Sequence, residues 1–332
     1  MFEPFVPKPA VEPEMGGVAV AGLPRLDVLL AAPRGFCAGV RRAIDAVHDA
    51  IGRHGAPVYV RRPIVHNLAV VRELESCGAI FVEELDQVPG GSVVVLSAHG
   101  VAPSVRLEAV ERGLVAYDAV CPLVAKVHRE AGRHVRAGRH VVLVGHEGHP
   151  EIVGTLGHIP AGAASLVRTA EDVGALDLAR ETPIGVCVQT TYSVEEAEAV
   201  LAALKVRFGD VATPAGSDIC YATTNRQAAL RRIAGTADAI IVVGEQFSSN
   251  ARRLAELAAA VGCPSVQLVA DAQEVDWAMV PPTGTIGITA AASTPEKSVS
   301  SVLDALGRRY RLSVREVGAV EETVEFRRLA VG

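Results

Sequence analysis

The sequence predicts an α/β protein made of three similar small domains with mainly parallel sheets, in a pseudo-threefold arrangement. Two observations predict this fold. From Leu26 onward, short runs rich in valine and isoleucine alternate with amphipathic stretches, as expected when helical crossovers connect parallel strands. The same order of strands, helices and polar loops then recurs three times, which indicates an internal repeat.

A cysteine opens each copy of the repeat, at the start of a helical pattern. The three are Cys37, Cys121 and Cys220, separated by 84 and 99 residues, a spacing suited to small α/β domains. Residues 1–25 hold five prolines and lack sustained periodicity, which is typical of a mobile extension. The predicted domains are 26–121 (of which 26–37 can pack with the third domain), 122–218 and 219–310, followed by a C-terminal tail over 311–332.

Polar loops follow two predicted strands in every copy. The first loop comes 28 or 29 residues after the cysteine and carries in turn His66, then His149 with Glu151, then Ser248, Ser249 and Asn250. The second loop carries in turn His99, Thr190 and Ser293. Ligands of open α/β sheets bind beyond the carboxyl ends of the strands. Three such edges facing inward would form one shared site.

Composition excludes several classes of protein. Thirty-two Lys and Arg residues against 38 Asp and Glu give a net charge of −6, which argues against a nucleic-acid or anionic-membrane partner. No apolar run approaches the roughly 18 residues of a membrane span, and the N-terminus lacks signal-peptide features. We therefore expect a cytoplasmic protein whose six cysteines are core thiols, metal ligands or catalytic groups.

The six cysteines divide into two groups. Cys77, Cys187 and Cys263 fit buried or turn thiols. The three that open the repeats sit at helix N-termini, where free N–H groups and the helix dipole lower a thiol pKa and favour the thiolate. No C-x2-C pair is present. Spacing alone leaves open a zinc site with a histidine as fourth ligand and a cubane cluster with one iron free of protein ligands.

Many motifs, in order, resemble the LytB (IspH) family of 4-hydroxy-3-methylbut-2-enyl diphosphate reductases. They are PRGFCAGVRRAI, PIVHN, SAHGV, DAVCPLVAKVH, GHEGHPEIVGT, QTTYSV, DICYATTNRQ, SSNARRL and AASTPE, spanning about residues 31 to 297. The resemblance implies one [4Fe–4S] cluster on Cys37, Cys121 and Cys220, at the centre of the three domains. One open iron would bind the substrate hydroxyl. The implied reaction is two-electron reductive dehydroxylation to isopentenyl and dimethylallyl diphosphate, the last step of the methylerythritol phosphate pathway.

The resemblance also assigns the polar loops. Glu151 would donate protons, while Thr190 would orient the substrate and relay a proton. The loops carry no Walker motif and no arginine or lysine cluster, so neutral donors and protonated histidines are expected to bind the diphosphate. These implied donors are His66, His99, His149, Thr190, Ser248, Ser249, Asn250 and Ser293. His146 is interpreted as structural. No flavin or nicotinamide fingerprint is evident, so a ferredoxin or flavodoxin is the expected electron donor.

The sequence departs from the family pattern at three places, and two other functions stay open. Phe247 stands where a polar residue is common, Ala291 stands where glycine is frequent, and the N-terminus is extended. None of these removes an implied ligand, although Phe247 and Ala291 can reshape the pocket. The alternatives are a [4Fe–4S] hydro-lyase acting on a related substrate without external reductant, and a non-enzymatic metal or redox sensor.

Overall fold

The computed structural model describes residues 22–318 and 320–329, so most of the predicted extension 1–25 lies outside the described residues. The described residues form thirteen strands and ten α-helices. The strands are β1 (Arg25–Ala32), β2 (Val58–Arg61), β3 (Ala79–Val82), β4 (Val93–Leu96), β5 (Val115–Asp118), β6 (His140–Val144), β7 (Ala164–Val167), β8 (Ile184–Val188), β9 (Val211–Ala212), β10 (Ala239–Val243), β11 (Val266–Val269), β12 (Gly284–Ala290) and β13 (Arg311–Gly318). The helices are α1 (Ala38–His54), α2 (Leu68–Ser76), α3 (Pro103–Glu111), α4 (Pro122–Arg136), α5 (Pro150–Leu156), α6 (Ala170–Gly174), α7 (Val194–Arg207), α8 (Tyr221–Ala234), α9 (Ser249–Ala260) and α10 (Glu296–Gly307).

The strands form three fully parallel sheets, which confirms the predicted fold class. The first unit has the sheet order β3-β2-β4-β5 with helices α1–α3, and the second unit has β7-β6-β8-β9 with α4–α7. The third unit has β11-β10-β12-β1-β13 with α8–α10. The first four strands in each of these orders therefore correspond to one another. Strand β1 takes the fourth position in the third sheet, where β5 and β9 stand in the other two.

Strand β1 joins the third unit through both of its edges. Its residues Leu26–Leu30 pair with Gly284–Ile288 of β12, and all eight of its residues pair with β13. The first eight residues of the predicted tail 311–332 thus form an edge strand. Each cysteine that opens a repeat follows a fourth-position strand, so the chain passes from one unit to the next at each of these cysteines.

Aliphatic residues account for the sheets and for the helix faces that cover them. All five residues of β8 and of β10 are buried, as expected for parallel strands covered on both faces. Helix α1 buries Ala43, Ala46, Val47 and Ala50, which share one face at helical spacing. Gly55 ends α1 with φ 77°, a left-handed conformation that favours glycine.

The strand order places the polar loops together. The first loops follow β2, β6 and β10, and the second loops follow β4, β8 and β12. These strands are neighbours in each sheet, on either side of the point where the chain changes direction across the sheet. Ligands bind at such switch points in α/β folds.

Within residues 22–318 and 320–329, the helices are all too short or too polar to cross a bilayer.

Candidate active site

Three thiols from three units face one cavity of about 110 Å³. Cys37, Cys121 and Cys220 are the N-cap residues of α1, α4 and α8. The Cys37 Sγ accepts a hydrogen bond from the Val40 N–H at 3.4 Å, and the Cys220 Sγ accepts one from the Thr223 N–H at 3.4 Å. The repeated strand-to-helix turn thus brings together residues that lie 84 and 99 positions apart in the chain.

Glycine is required beside these thiols. A Cβ atom added to Gly39 in the first turn of α1 would lie 2.8 Å from the Cys121 Sγ and 3.8 Å from the Cys37 Sγ. The first separation is too short for a real contact, so a side chain at this position would displace the thiol of the second unit. The close approach of α1 to Cys121 therefore depends on the absence of a side chain at position 39.

Burial reverses the expected ionisation of two thiols. It raises the pKa of Cys121 to about 12 and the pKa of Cys220 to about 11, although hydrogen bonds from helix N–H groups act in the opposite direction. The sequence-based expectation that helix N-termini favour the thiolate is therefore wrong for the protein without bound metal. A coordinating cation deprotonates such thiols outright.

The arrangement of donors suits a polynuclear group. Among the described residues, no three His, Cys, Asp or Glu side chains are close enough to hold a single metal ion. The three thiols instead surround a space that is also lined by the first turns of three helices. Cys77 is exposed, whereas Cys187 and Cys263 are buried in separate cores, as the sequence suggested. Thiolates are the usual ligands of iron–sulfur groups, and these three thiols line one space.

Three histidines gather beside the thiols in the same cavity. The ring centroids of His66 and His99 are 4.1 Å apart, and those of His66 and His149 are 5.6 Å apart. The His149 Nδ1 accepts a hydrogen bond from the Glu151 N–H at 3.2 Å, which leaves the proton of the neutral ring on Nε2. The Nε2 atoms of His66 and His149 are buried without a protein partner. Both ring edges are therefore available to a ligand.

These rings are neutral near pH 7. Burial lowers the pKa of His66 to about 4 and that of His149 to about 3, and it holds the pKa of His99 well below its ordinary value. Neighbouring rings lower the pKa values of His99 and His149 further. Preformed positive charge from protonated histidines, which the sequence suggested, is therefore absent. The rings offer neutral N–H donors, and only an incoming anion would favour their protonation.

The third unit contributes hydroxyl and amide groups to the same cavity. Ser248 caps α9, and the Ser249 Oγ accepts hydrogen bonds from the Gln189 Nε2 at 3.3 Å and the Thr191 Oγ1 at 3.2 Å. The Asn250 Oδ1 accepts a hydrogen bond from the Ala292 N–H at 2.9 Å, which directs the amide. Its Nδ2 is buried without a protein partner, like the two histidine nitrogens.

A buried carboxyl completes the cavity. Glu151 is 2% exposed, and its two oxygens accept hydrogen bonds from the Thr190 N–H at 2.7 Å and the Thr190 Oγ1 at 2.8 Å. Burial raises the pKa of Glu151 to about 7, the nearby Asp218 carboxylate contributes in the same direction, and the two Thr190 hydrogen bonds act against them. A carboxyl in this state can hold or release a proton near neutral pH.

Comparisons with known proteins agree with this architecture. The family model described as LytB protein matches residues 28–307. The chain belongs to the LytB family. A relative from Methylocella silvestris, named 4-hydroxy-3-methylbut-2-enyl diphosphate reductase, is 52% identical over 304 residues, which cover 91% of this chain and 95% of that protein. A Paracoccus denitrificans protein of the same name is 50% identical, with 92% and 96% covered.

Solved structures give the same family. The E-1-hydroxy-2-methyl-but-2-enyl-4-diphosphate reductase from Plasmodium falciparum is similar with a TM-score of 0.87 and 35% identity, covering 92% of this chain and 96% of that chain. A structure of (E)-4-hydroxy-3-methyl-but-2-enyl diphosphate reductase gives a TM-score of 0.62 and 31% identity, with 85% and 99% covered. The LytB family is iron–sulfur dependent, which agrees with a site built around three thiols.

Contacts between units of this LytB-family chain bring distant polar loops together. The Ser293 Oγ of the third unit donates a hydrogen bond to the His66 carbonyl oxygen at 3.0 Å. The buried Glu245 carboxylate accepts a hydrogen bond from the Leu68 N–H at 2.9 Å, at the N-terminus of α2. Both bonds hold the segment around His66 against the third unit. Glu245 was missed by sequence reasoning because a lone glutamate in a loop has no distinguishing local signal.

Phe247 and Ala291, the two residues expected to reshape the pocket, occupy different environments. The Phe247 ring is 43% exposed and lies edge-on to His66, with centroids 5.8 Å apart. Ala291 is fully buried, and its Cβ would lie 3.1 Å from a Cβ added to Gly244.

Gln189, Thr191 and Phe326 also line or support the cavity. The QTT motif marks the first two, whereas nothing in the local sequence marks Phe326.

Proposed function

We propose that this protein reduces (E)-4-hydroxy-3-methylbut-2-enyl diphosphate to isopentenyl diphosphate and dimethylallyl diphosphate. The observation that carries the proposal is a buried, protonatable Glu151 in the same cavity as three thiols and three histidines, two of which have an unpaired ring nitrogen. Relatives of 50% identity and above carry the name of this reductase, and the similarity covers nearly their whole length.

We place the protein in the cytoplasm, where its six free thiols suit a reducing compartment.

Cys37, Cys121 and Cys220 would hold one [4Fe–4S] cluster, leaving one iron without a protein ligand. When bound, the cluster would pass the two electrons of the reduction to the substrate one at a time. Three thiols at three helix N-termini support this ligand set, because each helix directs N–H groups toward the negatively charged group that thiolates would hold. A ferredoxin or flavodoxin would supply these electrons, since neither a flavin nor a nicotinamide fingerprint is evident in the sequence.

The diphosphate would bind among the neutral donors of the polar loops. The Nε2 groups of His66 and His149 and the Asn250 Nδ2 are desolvated and unpaired, so a phosphate oxygen would satisfy each of them. The remaining residues expected to bind the substrate line the same cavity and are His99, Thr190, Ser248, Ser249 and Ser293. Charge-assisted bonds of this kind contribute about 1.5–3 kcal/mol each.

Glu151 would supply a proton to the leaving hydroxyl. The overall reaction consumes two electrons and two protons and releases one water, and a general acid near the substrate alcohol accelerates loss of the hydroxyl. Thr190 holds both carboxyl oxygens of Glu151 and lies at the cavity wall, which suits it to orient the acid and to relay a proton through its hydroxyl. With a pKa of about 7, Glu151 is partly protonated at neutral pH and can be reloaded after each turnover.

Anaerobic purification followed by iron and sulfide analysis tests the cluster, and reduction of the allylic diphosphate by reduced viologen tests the reaction. We expect about four irons and four sulfides for one [4Fe–4S] cluster, and product only when reductant is present. Substrate loss without reductant would identify a hydro-lyase instead. A colourless, zinc-loaded preparation without turnover would identify a sensor.

A further inference from the structure

The C-terminal strap, defined here as residues 320–329, crosses from the third unit to the first. It follows β13 at the edge of the third sheet, and its Leu329 packs against the hydrophobic core of the first unit. Between these two points, Phe326 lines the cavity that contains the three thiols. Phe326 and Glu322 also share a surface pocket with Phe36, Ala38 and Tyr221, so the strap lies beside Cys37 and Cys220, at what we call the cysteine end of the cavity.

A fully buried arginine attaches the strap to two of the thiol-bearing segments. Arg226 donates to the Gly35 carbonyl oxygen from Nε at 3.1 Å and from Nη2 at 2.6 Å, and to the Ala222 carbonyl oxygen from Nη1 at 2.9 Å. Its Nη1 also pairs with the Glu322 carboxylate of the strap at 2.9 Å. Gly35 lies two residues before the first thiol, and Ala222 lies two residues after the third.

A second arginine attaches the strap to the remaining thiol-bearing segment. Arg42 of α1 donates from Nη1 to the Val120 carbonyl oxygen at 3.0 Å, immediately before Cys121. Its Nε donates to the Arg327 carbonyl oxygen of the strap at 3.0 Å. Each of the three thiols is thus within two residues of a backbone group held by an arginine that also binds the strap.

We propose that the C-terminal strap closes the cysteine end of the cavity against solvent, and that Arg42 and Arg226 are positioning residues for the three thiols. Removing the strap would leave the Arg226 guanidinium buried without its counter-ion, which is strongly unfavourable. Release of the strap and displacement of the thiol segments are therefore coupled. The positioning role rests on the proposed function, because it treats the thiols as cluster ligands, whereas the closure does not.

Thiol alkylation in the full-length, metal-free protein tests the closure. The rate of iodoacetamide labelling at each cysteine is measured by mass spectrometry in the Glu322→Gln and Phe326→Ala variants. The controls are Glu321→Gln and Val324→Ala, which change exposed residues of the strap. Loss of the ion pair or of the ring is expected to accelerate labelling of Cys37 about tenfold or more. The controls are expected to label at the wild-type rate.

Core thiols distinguish local opening from unfolding. Cys187 and Cys263 are buried away from the cavity, so their labelling should stay slow in every variant. If Glu322→Gln accelerates the labelling of all cysteines together, the protein has loosened globally. The Phe326→Ala variant then decides whether the strap closes the cavity. Wild-type labelling of Cys37 in Phe326→Ala would overturn the closure, whether or not the protein proves to carry an iron–sulfur cluster.

The reduction potential of the anaerobically loaded protein tests the positioning role. Arg226→Lys keeps the positive charge but loses the planar fork that binds two carbonyl groups and a carboxylate together. Arg232→Lys, at an exposed position on the same helix, is the matched control. We expect a shifted potential and an altered electron paramagnetic resonance spectrum in Arg226→Lys alone. A potential equal to that of the control would contradict the positioning role.

Discussion

Replacing Glu151 by glutamine should separate proton donation from binding. The glutamine amide can still accept a hydrogen bond from the Thr190 N–H, so the loop should keep its shape. It cannot donate a proton to a leaving hydroxyl, and general acids contribute about 10²–10⁴-fold to turnover. We therefore expect turnover to fall by about that factor, with the iron content and the affinity for the diphosphate unchanged.

The same substitution has a pH-dependent effect on stability that can be worked out from the structure. Burial raises the pKa of Glu151 from 4.5 to about 7, so the folded protein favours the neutral carboxyl. Stability from this group is present below pH 4.5 and is lost as the pH rises through 7. The shift corresponds to about 3 kcal/mol. The metal-free Glu151→Gln variant should therefore gain up to about that much relative to wild type at pH 8.5, and much less at pH 5.

Steady-state reduction with viologen and thermal melting at the two pH values measure these effects. Glu147→Gln is the matched control, because Glu147 is exposed in the same loop. The control should leave both turnover and melting unchanged. Wild-type turnover in Glu151→Gln would refute the proton-donor role, and an equal melting difference at pH 5 and pH 8.5 would refute the raised pKa.

Three further substitutions test the rest of the site. Cys121→Ser should abolish incorporation of the complete cluster, measured as iron per chain after anaerobic purification, while Cys77→Ser at an exposed thiol should retain it; equal iron in both would contradict the ligand set. His149→Ala should raise the KM for the diphosphate by about 10–150-fold, because it removes an unpaired buried donor, whereas His48→Ala on an exposed helical face should not. Glu245→Ala should raise KM several-fold with a smaller change in kcat, since a net hydrogen bond contributes about 0.5–1.5 kcal/mol, and an unchanged KM would exclude a contribution from its bond to Leu68.

Sequence reasoning identified the features that repeat. Cys37, Cys121 and Cys220 could be grouped because a rare residue recurs at one position of a repeated strand and helix pattern. Glu151 and Thr190 could be placed on one edge because parallel strands share their carboxyl ends. Their direct hydrogen bonds depend on the neighbouring positions of β6 and β8, which the repeat alone does not specify.

The remaining features depend on tertiary contacts that leave no local signal. Strand β13 pairs with β1 across most of the chain, and neither periodicity nor composition relates two such distant segments. The expectation that Cys121 favours the thiolate was wrong for a related reason. A helix N-terminus can be read from sequence, but the depth of burial that outweighs it cannot. Glu245 and Phe326 acquire their surroundings only when separate units meet.

The pairing of β1 with β12 and β13 has a consequence for biosynthesis. Strand β1 is the first of the described strands to leave the ribosome, but its partners β12 and β13 are the last two to be made. The first two sheets can form as their own strands emerge, whereas the last sheet must wait for residue 318. Cys37 follows β1 directly and also caps α1, which packs in the core of the first unit, so it connects the two units. The three-thiol site therefore lies at a junction between a unit that can form early and a sheet that is completed late.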